Sequence, residues 1–411
     1  MALAPRRRAR RVFAYWRSEQ RTLRQGFVAL LVSTGAALVA GIATSSIRGT
    51  LNELPALYIL FPAATGMRGT IFGAIGARFG TSSASGLFEL TWKRSGVLYQ
   101  NVFTGAVTTF SSSLYLAALA WLTALAFGIR SISFLDFVTI SVVGGVLGSA
   151  VIIGLTVGLS VISFRRGYDL DTVSTPLVTA AGDMVTVPTL FLATFIVKVP
   201  GVNATVAALC IAVCLYATIR GALTDLPLAR RAILEMIGVI ALTPLLDILA
   251  GKFGDPLVTR LRYPALVAII APLVSDAGAL GGILSSRLSS KLHLGVISAR
   301  GRPERPALLD ATLVVGFGVV AFTAVGTLGY LYSLVRGPTP GPGVMIGGTL
   351  LAGVLTIGVV LVFSYYIAIA SYRFGLDPDN QSVPIITSVM DLAGIISFIF
   401  VLSLFGVHTH G

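Results

Sequence analysis

The chain is 411 residues long, 55% hydrophobic and only 11% charged, with a mean hydropathy of +0.89. One soluble core cannot bury that much apolar surface, and the apolar runs reach the roughly 20 residues that cross a bilayer, so an all-α polytopic membrane protein is expected and a soluble enzyme is excluded. The net charge of +13 does not call for nucleic acid, because most Lys and Arg lie in the amino-terminal tail and in alternate loops, where positive-inside placement accounts for them.

In chain order, residues 1–25 read as a basic cytoplasmic tail, since no small-residue cleavage site follows a short apolar region. Low-charge windows then predict helices over 26–46, 54–80, 98–126, 134–164 and 175–197, and a shorter one over 203–220. A second set follows over 231–250, 261–290, 308–334, 344–373 and 381–406, giving about 11 spans in all. An amino terminus in the cytoplasm and a carboxyl terminus outside put the basic loops around Lys93, Arg165, Arg230 and Arg300 inside. Cys210 and Cys214, one turn apart in an apolar run, read as small packing residues. His293, His408 and His410 are peripheral and receive no ligand role.

The chain is an internal duplication. Arg165, Gly167, Asp169, Asp171, Ser174, Pro176, Thr179 and Asp183 recur at one constant offset as Arg373, Gly375, Asp377, Asp379, Ser382, Pro384, Thr387 and Asp391. At nearly the same offset, PALYILFPAATGMRGTIFGAIGAR from Pro55 is echoed by PALVAIIAPLVSDAGALGGILSSR from Pro264. Whole five-helix units were therefore copied, over 26–200 and 226–411, with a linking helix in 201–225. Five spans is an odd number, so a direct fusion would invert the second copy. The linking helix turns the chain over, makes the repeats parallel and allows a pathway on a pseudo-twofold axis.

Asp183 and Asp391 fall about eight to ten residues into their predicted helices, on the order of 12–15 Å deep. A carboxylate there costs about 2.5–3.5 kcal/mol on insertion scales, and no Lys or Arg lies within a helical turn of either one. Two such groups facing one another across an axis are satisfied by a divalent cation, whereas protonated aspartates that lock helices together are the structural alternative. Thr179 and Thr387 share the face of each Asp, and Pro176 and Pro384 free backbone carbonyls one turn earlier. Asp169, Asp171, Asp377, Asp379 and Asn380 form a cytoplasmic mouth, as helix caps, as an attractor of cations, or as both. Gly66, Gly69, Thr70 and Gly278 allow close helix approach. Asp276 stands at the position of Met67 in the other copy, beside Arg68, so Asp276 and Arg68 either form an ion pair across the axis, the reading preferred here, or each line the lumen.

DPDNQSVPIITSVMD, YDLDTVSTPLVTAAGD, GMRGTIFGAIGARFGTS and LGGILSSRLSSKLHLG together resemble segments of the MgtE magnesium channel and transporter superfamily, most closely its fused two-domain, solute carrier family 41-like branch. The resemblance implies five-helix units paired around a twofold pore, with hydrated Mg²⁺ as the cargo or pore-bound ion, Asp183 and Asp391 at the constriction, and help from Thr179 and Thr387. It also implies a linking helix and one chain supplying both halves of the pore in a plasma membrane, without the cytoplasmic sensor domains of bacterial relatives. Thr70 and Ala279 stand where the family often has Asn, and Thr172 stands opposite Asn380, so ion preference follows less directly than architecture.

The expected function is a divalent cation channel or transporter, with an Na⁺- or H⁺-coupled exchanger as the alternative. An intramembrane aspartyl protease is the remote alternative, suggested by Tyr168-Asp169 and Gly182-Asp183. It fits poorly, because Tyr168-Asp169 is not in a separate span and Met390 precedes Asp391.

Overall fold

A computed structural model describes residues 12–46, 57–128, 132–199, 201–260 and 263–407. Among the described residues the long elements are all α-helices. They are α1 (Gln20–Ser46), α2 (Leu57–Ala84), α3 (Val97–Ala126), α4 (Phe134–Arg166), α5 (Leu170–Val197), α6 (Val202–Ala222), α7 (Pro227–Arg260), α8 (Pro264–His293), α9 (Arg305–Arg336), α10 (Thr349–Arg373) and α11 (Pro378–Leu404). A π-helical turn, Gly343–Gly348, leads into α10.

Local chemistry sets several of these ends. Ser133 and Asp136 form a reciprocal capping box at the start of α4. Gly167 and Gly375, at equivalent places after α4 and α10, both adopt positive φ and let the chain turn directly into α5 and α11. Pro264 and Pro378 open α8 and α11, where a missing N–H costs nothing.

Among the described residues ten helices are long and apolar enough to cross a membrane, so the chain is a multi-pass membrane protein in contact with lipid. α2 is absent from those ten. It carries Arg68 and Arg78, and its stretch 67–80 is buried throughout, because α5, α7 and α11 surround it with protein rather than lipid.

The packing has twofold symmetry. In the first repeat α5 lies against α1, α2 and α4, and in the second α11 lies against α7, α8 and α10 in the same way. The repeats also exchange partners: α8 packs on α1 as α2 packs on α7, and α8 meets α5 as α2 meets α11. Thr81 and Ser290, which occupy equivalent positions in the two copies, have hydroxyls 3.3 Å apart, so the axis passes between them. Equivalent ends of α2 and α8 therefore meet on one side, which is the parallel arrangement that the parity of the helices requires. α6 packs on α3 and α4 at the outside of the first repeat and is largely exposed there.

Three expectations need correction. Helical structure begins within the stretch read as a tail: residues 12–18 are helical and α1 starts at Gln20, while 1–11 lie outside the described residues. The early helix is docked, with the Tyr15 hydroxyl donating to Asp310 Oδ1 at 2.7 Å and Trp16 Nε1 to Thr312 Oγ1 at 3.1 Å. Burial, with Asp310 adjacent, raises the Tyr15 phenol far above its ordinary pKa. Second, α5 and α11 start earlier than predicted, so Asp171 and Asp379 stand in their first turns and Asp183 and Asp391 near mid-helix. Third, Arg68 and Asp276 do not pair, as described below. His408 and His410 lie outside the described residues.

Close backbone approach explains individual glycines. A Cβ at Gly326 would sit 2.5 Å from the Met345 carbonyl oxygen and 2.8 Å from Ile346 Cα, so α9 touches the π turn only because residue 326 has no side chain. Gly326→Val therefore destabilises the protein by about 1–3 kcal/mol or more. Gly358→Ala, where nothing stands within 4 Å, leaves the unfolding midpoint of the detergent-solubilised chain unchanged, and comparing the two variants by thermal unfolding checks this.

Candidate cation site

Asp183 on α5 accepts a hydrogen bond from Ser275 Oγ of α8 at 2.7 Å, a contact that crosses from one repeat to the other. Asp391 on α11 is within electrostatic range of Asp183 and faces Asp247 of α7. Asp276 on α8 lies within range of Asp183 and accepts from Thr34 Oγ1 of α1 at 2.6 Å. Four carboxylates thus follow one another at mid-helix level, Asp276 beside Asp183, Asp183 within range of Asp391 and Asp391 beside Asp247, where α5 and α11 meet the exchanged helices. Asp183 and Asp391 are only partly buried, whereas Asp247 and Asp276 are 1% and 0% exposed. Among the described residues no Lys or Arg forms an ion pair with any of them.

Arg68 is turned away from this cluster. Its Nη1 donates to the Ala64 carbonyl of its own helix at 2.8 Å and the guanidinium lies against α4, where a Cβ at Gly145 would be 2.9 Å from Nη2. Equivalent positions face each other across a twofold only where they point at the axis. Thr81 and Ser290 do so, and residue 68 does not.

Sequence reasoning missed Asp247. The signal was present in LTPLLDILAG, an aspartate within an apolar run, which is the pattern that singled out Asp183. Asp247 has no counterpart in the first repeat, so a search guided by duplication passes over it.

The smaller predicted residues divide. A Cβ at Gly66 would collide with the Asp247 carboxylate, so this glycine admits the side chain. Gly69 has open space beside it, and a Cβ at Gly278 would make ordinary contact with Thr387 at 3.7 Å. Thr387 Oγ1 donates to the Pro384 carbonyl at 2.8 Å, while the buried hydroxyls of Thr179 and Thr70 have no partner. Pro176 and Pro384 lie inside α5 and α11, and each removes one helical hydrogen bond.

At the helix starts the acidic residues form two layers. Asp377 caps α11 by accepting from Asp379 N at 3.0 Å, and Asp169 pairs with Arg287 Nη1 at 2.6 Å. Deeper, Asp171 accepts from Ser286 at 2.8 Å and Ser290 at 2.6 Å, and neither oxygen of buried Asp379 has a donor in hydrogen-bond geometry. Asn380 receives Arg78 of α2, and its Nδ2 donates to Glu235 Oε2 of α7 at 2.8 Å. Arg287 mirrors Arg78: it reaches from α8 to Thr172 and Asp169 of α5 and also holds Asp310 Oδ1 at 3.0 Å. The two arginines thus tie each repeat's second helix to the other repeat's fifth. With Asp169 taken by Arg287, the Tyr168-Asp169 pair is not placed to act with Asp183.

Among the described residues, no three His, Cys, Asp or Glu side chains converge on one point that could hold a metal. A partly open cluster of carboxylates and hydroxyls is suited to hold a hard cation through its water shell.

A duplicated, parallel bundle of membrane-crossing helices with buried carboxylates at the repeat interface defines a membrane transport protein. The model of the MgtE family, described as a divalent cation transporter, matches residues 61–193 and again 270–401, and the chain belongs to that family of transporters. One matched segment lies within each of the two repeats. Solute carrier family 41 member 2 of Xenopus laevis is 24% identical over 367 residues, covering 84% of this chain and 64% of that protein. The Mus musculus protein of the same name is 24% identical over 369 residues, covering 82% and 62%. Solute carrier family 41 member 3 of Rattus norvegicus is 23% identical over 424 residues, covering 89% and 84%. The chain spans slightly under two thirds of the length of the two member 2 proteins.

Proposed function

We propose that the chain conducts hydrated Mg²⁺ through a pseudo-twofold pathway, with Asp183 and Asp391 as the constriction and with both halves supplied by one polypeptide in the plasma membrane. One observation carries the reading: the two aspartates stand at equivalent mid-helix positions, within electrostatic range and without a basic partner. Unpaired charges there are unfavourable unless a cation joins them. Mg²⁺ sheds water reluctantly and takes oxygen ligands, which fits carboxylates and Thr179 and Thr387 acting through water. The amino terminus and the layer of Asp169, Asp171, Asp377, Asp379 and Asn380 face the cytoplasm in this reading, following the positive-inside rule.

Coupling to Na⁺ or H⁺ is the second mechanism, favoured by the multiplicity of carboxylates, two more than a symmetric filter needs. Mg²⁺ uptake into liposomes holding the purified chain, at zero and imposed voltage and with each gradient present or removed, separates the two. Voltage-driven uptake that ignores the gradients identifies a channel, uptake that requires one identifies a carrier, and no uptake under any condition contradicts both. In the same assay Asp169→Asn lowers flux by less than about tenfold, because this outer carboxylate is already neutralised by Arg287 and contributes attraction rather than a binding site.

A further inference from the structure

Asp247 is a buried carboxylate without a basic partner among the described residues. It is 1% exposed, and neither Oδ1 nor Oδ2 meets a donor. On the facing side stand Asp391 and Ser388 of α11, and the Ser388 hydroxyl, also 1% exposed, approaches Asp247 without reaching hydrogen-bond geometry. Gly66 of α2 closes the remaining side with no side chain of its own. Two carboxylates and a hydroxyl thus point into one enclosed space from α7 and α11, and among the described residues no basic group pairs with them.

The corresponding place in the first repeat differs. By the offset that links Pro55 to Pro264, Leu38 stands where the duplication would put a partner for Asp247. Asp183 and Asp276 each receive a hydroxyl hydrogen bond there, from Ser275 and Thr34. Each carboxylate of that half has a hydroxyl donor at normal distance, although Asp276 Oδ1 stays unpartnered, whereas Asp247 has none in hydrogen-bond geometry, so the symmetry of the fold is broken at the level of ligands.

Building on the proposed function, we infer that Asp247 is a cation ligand: Asp247, Asp391 and Ser388 hold the divalent ion on the side of the second repeat, away from the pseudo-twofold axis. Two carboxylates cancel the charge of a divalent ion, and the hydroxyl with water completes an oxygen shell. Asp183 then faces the ion from across the axis and acts on it through water. The transport pathway has unequal halves, with the ion resting against α7 and α11.

The test is Mg²⁺ binding to the full chain in detergent, by calorimetry and by the Mg²⁺-dependent rise in the unfolding midpoint, which follows mass action. Asp247→Asn is expected to weaken Mg²⁺ affinity by at least about tenfold, and its metal-free midpoint equals or exceeds that of the parent because an unbalanced charge has gone. Gly66→Ala, which leaves every carboxylate in place but crowds Asp247, weakens binding in the same direction and serves if Asp247→Asn does not fold. Unchanged Mg²⁺ affinity in the folded variant overturns the inference, including the case in which a shared proton rather than a metal joins Asp247 to Asp391. If Asp183→Asn loses the Mg²⁺ response while Asp247→Asn keeps it, the inference fails and the proposed function stands. If both variants keep it, both fail.

Discussion

Asp183→Asn and Asp391→Asn each lower divalent cation flux by about 100-fold or more, since losing one charge from a buried, charge-balanced set costs on the order of 3–5 kcal/mol. The amide keeps the size of the side chain and its ability to accept from Ser275, so the fold survives and the loss belongs to the ion. The variants are compared in liposomes by Mg²⁺ uptake normalised to incorporated protein, with the unfolding midpoint as the control. The two effects are unequal: Asp183 is bonded to Ser275, whereas Asp391 faces the unpartnered Asp247, so Asp391→Asn relieves repulsion and unfolds at a higher temperature than Asp183→Asn.

Arg287→Ala is expected to produce the largest loss of stability, on the order of 3–5 kcal/mol. Arg287 is 8% exposed and bonds Asp169, Thr172, Asp310 and the Tyr15 hydroxyl, joining the early helix, α5, α8 and α9. Its removal leaves Asp310, which is fully buried, with Lys291, and leaves Asp169 with no cation among the described residues. Arg78→Ala costs less, because its hydrogen-bond partners Asn101 and Asn380 are neutral amides and it acts on Asp377, Asp379 and Glu235 through space without a direct ion pair. Thermal unfolding of both variants checks the order, and a larger fall for Arg78→Ala would contradict it.

The duplication was legible in the sequence because both copies kept the residues that set the geometry: Gly167 and Gly375 for the turns, Pro176 and Pro384 inside the helices, Asp183 and Asp391 near their middles. Helix boundaries were less legible at α5 and α11. Charged first turns read as loops on a hydropathy scale, although Asp171 and Asp379 are accommodated there by helix N-termini and, for Asp171, by hydroxyls from the opposite repeat. α2 illustrates the same limit: a helix surrounded by protein tolerates two arginines that a helix facing lipid would not. The expected Arg68–Asp276 pair failed because each found a nearer partner, a carbonyl one turn back for Arg68 and Thr34 for Asp276. Asp247 was hidden by the logic that revealed the rest, since a residue present in one copy alone leaves no trace in a comparison of copies.

The central claim is that one divalent ion rests between the fifth helices of the two repeats. Its most direct test is the position of Mn²⁺, a stand-in for Mg²⁺, located by anomalous diffraction in crystals of the full chain. The account predicts one site within about 5 Å of carboxylate oxygens on both Asp183 and Asp391, a distance that allows an intervening water. Mn²⁺ found only at the helix starts, beside Asp171 and Asp379, would contradict it.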